Sequence, residues 1–236
     1  MNEWSLLGKQ VAMRRWRRSG LAGVGLVLAL MLTLVGQTRA TIVSGATATA
    51  SSTIIFGGVD ETAPHAVDGS GLSLGDNTAV TPDQMHTNSD NFNAWLTQTG
   101  DTDPTLTVNL GAVYDKIAGV RIFNYNSPGS FTTRGVRTTR LLQSVDGSTW
   151  TTNSLGLFTI PIASGISSDT GTYFAFSGPV QAKFFQFDIQ SNWGDATPLY
   201  GLSELQFEAV PEPSSVVLLG LGGLVLWRRM RRNKRP

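Results

Sequence analysis

Between residues 41 and 213 the apolar side chains recur with a period of two, and no stretch shows the 3.6-residue period of an amphipathic helix. In 105–110, Leu106, Val108 and Leu110 alternate with Thr105, Thr107 and Asn109. In 184–190, Phe185, Phe187 and Ile189 alternate with Gln186, Asp188 and Gln190. In 204–209, Leu205, Phe207 and Ala209 alternate with Glu204, Gln206 and Glu208. Such alternation predicts strands with one face in a core and the other in water. The segments 117–123, 139–144, 157–162 and 172–176 read as further strands, punctuated by Gly, Asn, Asp, Ser and Pro. About eight short strands predict an all-β two-sheet sandwich or jelly roll, and the lack of any repeat of 20–50 residues excludes solenoids and propellers.

Charge is segregated along the chain. Residues 41–213 hold six basic and sixteen acidic side chains, a net charge of −10, whereas both ends are strongly basic. An acidic middle repels phosphate backbones, which excludes nucleic acid as a partner. The chain has no cysteine, so disulfides, thiol catalysis and Cys-ligated zinc are excluded too.

The first 40 residues carry a basic cluster at 14–18, an apolar run over 21–35 and small residues ending in Ala40, the pattern of a secretory signal. Cleavage is expected after Ala40, Ala48 or Ala50, and translation starts at Met1 or Met13. Residues 41–52 read as a linker or first extended segment. At the other end Pro211-Glu212-Pro213 precedes an apolar run over 216–227 and the basic tail 228–235. The tail is expected to stay cytoplasmic while the acidic middle is exported.

This order of Pro-Glu-Pro, apolar helix and Arg-rich end over 210–236 resembles the PEP-CTERM sorting signal of Gram-negative bacteria. The resemblance implies recognition by an exosortase, a membrane transpeptidase-like enzyme, with cleavage near Pro211, Glu212 and Pro213. It also implies a C-terminal membrane helix held transiently in the inner membrane, then a destination in the envelope, at the surface or outside. The bland alternative is a simple membrane tail.

Over 46–209 a second resemblance emerges. Ala48-Thr49-Ala50-Ser51-Ser52, Ala66-Val67-Asp68-Gly69, Trp95, Leu106-Thr107-Val108-Asn109-Leu110-Gly111, Ser144-Val145-Asp146-Gly147-Ser148-Thr149-Trp150 and Gly201-Leu202-Ser203-Glu204-Leu205-Gln206-Phe207 are similar, in this order, to discoidin-type domains. These are the coagulation-factor C-type domains of the galactose-binding-like superfold. The resemblance implies an eight-stranded antiparallel jelly roll whose loops at one end bind sugars, lipids or proteins, with Trp95 and Trp150 packed in its core. The stretch 69–93 is longer and more polar than the family's usual link to the Trp.

Bacterial members often hold a structural Ca²⁺ between the Asp-Gly loop and a Glu on the last strand, positions matched by Asp68 and Glu204. Ser70 and Gly71 would supply further oxygens. The alternative makes Asp68 an Asx turn before Gly69 and Glu204 a sheet-edge charge.

For ligand recognition, Trp193 in a turn-rich stretch and Phe131 with Arg134 and Arg137 in the loop 126–138 offer aromatic faces and forked donors. Trp193 is either an exposed platform or a lid on the core, and the arginines either meet ligand or pair with local acids. Gly71-Leu72-Ser73-Leu74-Gly75 matches the G-x-S-x-G pattern, but its flanks are turn formers rather than a strand and a helix. His65 and His86 lie in polar sequence and are expected to be solvated. The chain is thus expected to be a non-enzymatic, exported protein that binds exopolysaccharide or another glycan, or mediates adhesion. A non-binding matrix component and a polysaccharide-active hydrolase are the alternatives.

Overall fold

The computed structural model describes residues 41–56, 59–73, 85–87, 93–210 and 222–223. The chain divides into two compact units, and the one spanning Arg39–Glu212 holds every strand described. Its strands are β1 (Thr41–Ile42), β2 (Thr47–Ala50), β3 (Ile54–Phe56), β4 (Val59–Glu61), β5 (Trp95–Leu96), β6 (Thr105–Asn124), β7 (Val136–Ser144), β8 (Thr151–Thr159), β9 (Thr172–Asn192) and β10 (Gly201–Ala209). Two short 3-10 turns interrupt them, Ala63–Ala66 and Gly129–Arg134. No helix among the described residues is long and apolar enough to cross a membrane. The signal segment 1–40 and the motif Pro211, Glu212 and Pro213 lie outside those residues, as does the apolar run 216–227 apart from Gly222 and Gly223.

Two strands organise the sandwich because each takes part in both of its faces. The first half of β6 pairs with β2 and with the second half of β9, with Val108 opposite Phe185. The second half of β6 pairs with β10 and with the first half of β9, with Val120 opposite Phe207 and Phe174. Register shifts between Asn109 and Gly119 mark the crossing. At its start Gly111 adopts φ +82°, a left-handed conformation open to glycine at little cost, and the Asn109 side chain accepts the Gly111 N–H. β7 and β8 extend the first face, β1 and β5 flank β10 on the other, and all of these pairings are antiparallel. The expected strands 105–110 and 117–123 are therefore one element, as are 172–176 and 184–190, while 157–162 survives only as the end of β8.

Between the faces lie Leu106, Val108, Ile117, Val120, Leu141, Phe185, Phe187, Leu205 and Phe207, all buried. Phe185 and Phe207 stack at 4.5 Å, joining the two sheets at their middle. Trp95 is buried as expected and donates its Nε1–H to the Ser52 carbonyl at 3.0 Å.

Three local expectations fail. Trp150 is half-buried, because it follows a turn at the sheet edge in which Asp146 accepts the Ser148 and Thr149 N–H groups. The polar face of β10 is dry: Glu204 and Gln206 are buried, because the 3-10 turn Ala63–Ala66 and the Gly69 loop pack over the strand. His86 is fully buried rather than solvated, held between Leu72 and Asp169 by backbone bridges.

β10 also fixes the polarity of the unit. It starts at Gly201 beside β5 and the end of β6, and finishes at Ala209 beside Thr41, where Val210 N–H bonds the Lys116 carbonyl. Nine residues of strand separate these two ends by roughly 30 Å.

Candidate functional site

At the Gly201 end, four chain segments meet: the end of β6, the 3-10 turn leading into β7, the end of β9 and the start of β10. Asn124 ties them. Its Nδ2 donates to the carbonyls of Val136 and Pro161, both at 2.8 Å, and its Oδ1 accepts the Tyr125 N–H. Gly135 packs on that side chain so closely that a Cβ would overlap it. Asn126, also buried, clamps a second group of loops by donating to Ile166 O at 2.8 Å and accepting from Gly165 N–H.

This framework brings Phe131, Arg134 and Trp193 to one end of the domain. Trp193 is half-buried. Its backbone N–H donates to Thr133 O at 3.0 Å and its Nε1–H to Ile160 O at 3.1 Å. Arg134 lies 4.2 Å over the ring of Phe131, which is 47% exposed, and its Nε donates to Asp195 at 3.2 Å. Arg137, exposed, lies 5.2 Å over the Trp193 ring. Each aromatic ring thus carries a guanidinium on one face, within the reach of a cation–π attraction.

Beneath them is a polar pair that the sequence did not single out. Tyr125, buried, donates its hydroxyl to Glu61 at 2.8 Å across 64 residues. Burial raises the Glu61 pKa, opposed by the Tyr125 hydrogen bond and the Arg134 charge, and burial also raises that of Tyr125. Asp60-Glu61 reads in sequence as turn chemistry, and nothing local announces a partner 64 residues away. Asp195, two residues beyond Trp193, is the one acid here that a charge-matching search would have found.

Asp68 sits on the loop that covers β10, and Glu204 on the strand beneath it. Glu204 accepts the Gly69 N–H at 2.9 Å and is fully buried, so it is no edge charge. Burial holds its pKa well above the usual carboxylate range; the Gly69 N–H counteracts this and the charge of Asp68 adds to it. Asp68 accepts the Ser70 N–H at 2.8 Å in an Asx turn, and its other oxygen meets His65 Nδ1 at 2.9 Å. The two carboxylates are hard-oxygen donors of the kind a divalent cation takes, although no cluster of three acidic, His or Cys side chains occurs among the described residues. Ser73 is exposed in a turn, with its Oγ accepting the Met85 N–H at 3.4 Å.

A two-sheet jelly roll with its polar and aromatic loops gathered at one end defines a β-sandwich module. The F5/8 type C domain model matches residues 47–205, and the chain belongs to that family. The PEP-CTERM protein-sorting motif matches 209–232, a signal for export and surface sorting. No curated protein matches the chain. Among solved structures, the F5/8 type C domain of a Bacteroides fragilis protein shares the fold at 16% identity and a TM-score of 0.50, covering 74% of this chain and 98% of that one. The family 32 carbohydrate-binding module of Clostridium perfringens NanJ, solved with galactose, is 15% identical with a TM-score of 0.46, covering 72% and 99%. A Clostridium perfringens family 89 glycoside hydrolase matches at 16% identity and a TM-score of 0.44. The match covers 72% of this chain but only 15% of that much longer enzyme.

Proposed function

We propose that this protein is an exported carbohydrate-binding module that holds glycan chains in the cell envelope or extracellular matrix through its Gly201 end. The observation that carries this reading is the gathering of Phe131, Arg134, Arg137, Trp193 and Asp195 at the end of the domain that Asn124 ties together. Aromatic rings can pack on the C–H faces of sugars, while forked donors and a carboxylate can meet their hydroxyls. Single-site affinity from so shallow a surface is weak, and many copies would supply avidity.

Exosortase processing near Pro211–Pro213 is part of the same proposal, and mass spectrometry of the mature C-terminus tests it. A structural Ca²⁺ held by Glu204 and Asp68 is a further part; its role would be to fix the Gly69 loop over β10. The binding reading is tested on a glycan array. Retention of a defined glycan, lost in Trp193→Ala with unchanged thermal stability, supports it. Uniform silence overturns it and favours a matrix component that binds no sugar.

A further inference from the structure

Three of the six basic residues between 41 and 213 stand within seven positions, at Arg134, Arg137 and Arg140, in a segment whose net charge is −10. They are not equivalent. Arg134 pairs with Asp195 at 3.2 Å and Arg140 with Asp188 at 3.5 Å. Arg137 has no carboxylate within 4.0 Å among the described residues, and its guanidinium lies over Trp193 instead.

Both members of that stack are fixed by one residue. Ile160 donates its N–H to the Arg137 carbonyl at 2.8 Å, and its own carbonyl accepts the Trp193 Nε1–H at 3.1 Å. Ile160 itself is buried in the core. The indole therefore cannot swing away without breaking a hydrogen bond, and the strand under Arg137 cannot slide. A ring quadrupole orients a guanidinium without neutralising it. The result is a pre-positioned exposed cation, with five N–H donors, next to an aromatic face.

We infer that the glycan bound at this end is an acidic polysaccharide, with Arg137 receiving a uronate carboxylate while Trp193 backs the adjoining sugar ring. The inference rests on the carbohydrate-binding reading above and narrows it. A fork of parallel N–H donors matches a planar carboxylate in two bonds, which a neutral hydroxyl cannot do.

The test uses the full-length chain purified in detergent, titrated at 150 mM NaCl with polygalacturonate, its fully methyl-esterified form, dextran sulfate and neutral galactan. Polygalacturonate is expected to bind at least about tenfold more tightly than its ester, the factor that one charge-assisted hydrogen-bonded pair supplies. Arg137→Gln should remove that preference, so that acid and ester bind with equal and weak affinity, while the melting temperature stays unchanged. Arg137→Lys should recover only part of it, since a point charge lacks the fork. Equal affinity for acid and ester, or acid binding untouched in Arg137→Gln, overturns the inference while leaving a neutral-glycan module standing. Dextran sulfate binding as tightly, and with the same dependence on Arg137, overturns the carboxylate assignment. Silence with all four polymers overturns both this inference and the reading beneath it.

Discussion

The Gly69 N–H reaches across 135 residues to the buried carboxylate of Glu204, at 2.9 Å. This bond seats the Asp68 loop over the last strand and places two carboxylates close enough for one to raise the other's pKa. A carboxylate whose folded pKa lies above its unfolded value contributes stability below the usual carboxylate range, and loses it as pH rises through the folded value. Without a cation the charged form of Glu204 is therefore a burden at neutral pH. The Ca²⁺ proposed above would instead take the charged form as a ligand.

Calcium is accordingly expected to raise the melting temperature of chelator-treated protein clearly at pH 7.5 and much less at pH 4.5. Glu204→Gln should abolish the shift, yet leave the calcium-free protein as stable as the parent or more so at pH 7.5. Differential scanning calorimetry with and without Ca²⁺ measures both, and no shift in the parent protein rules out the ion.

Gly71 lies against the His86 imidazole, so a Cβ at that position would overlap the ring. Gly71→Ala is expected to cost about 1–3 kcal/mol, as overpacking does in a tight interior. Removing the obstruction should relieve it, so Gly71→Ala should cost less in a His86→Ala background than alone. Denaturant titration of the four proteins gives that coupling.

His86 also makes an acid-sensitive point. Burial lowers its pKa, the Thr87 carbonyl partly opposing, and its Nε2 has no hydrogen-bond partner among the described residues. A histidine with a depressed folded pKa contributes stability above its unfolded value near 6.5, and this is lost as pH falls. Glu61 and Glu204 act with the opposite sign over the range above about 4.5, so the His86 share is the difference between parent and His86→Gln. The parent should lose more stability than the variant between pH 7 and pH 5 in urea melts.

Phe185 stacks on Phe207 and packs tilted on Phe176 at 5.7 Å, bridging the two sheets at the centre of the core. Phe185→Ala is expected to destabilise by about 3–5 kcal/mol, the loss found when a buried aromatic leaves a cavity. Phe131→Ala, at a ring 47% exposed, should change stability by no more than about 0.5 kcal/mol. The same denaturant midpoints report both.

Period-two alternation, turn residues and the absence of a helical period were enough to establish an all-strand body, because strand faces are a local property of the chain. Ala66-Val67-Asp68-Gly69 and Gly201–Phe207 likewise carried the family in their own order and spacing. Which polar face stays wet is not local. Glu204 and Gln206 alternate as a solvated face should, and are buried because a loop from residues 63–72 happens to cross them. His86, in polar sequence, is enclosed by Leu72 and Asp169 for the same reason. Phe131, Arg134 and Trp193 were recognisable by residue type. That Arg134 is neutralised by Asp195 while Arg137 is held uncompensated on Trp193 depends on Ile160, a residue whose sequence neighbours say nothing about it. Local pattern sets each strand and its two faces; the closing of β6 and β9 across both sheets decides what each face meets.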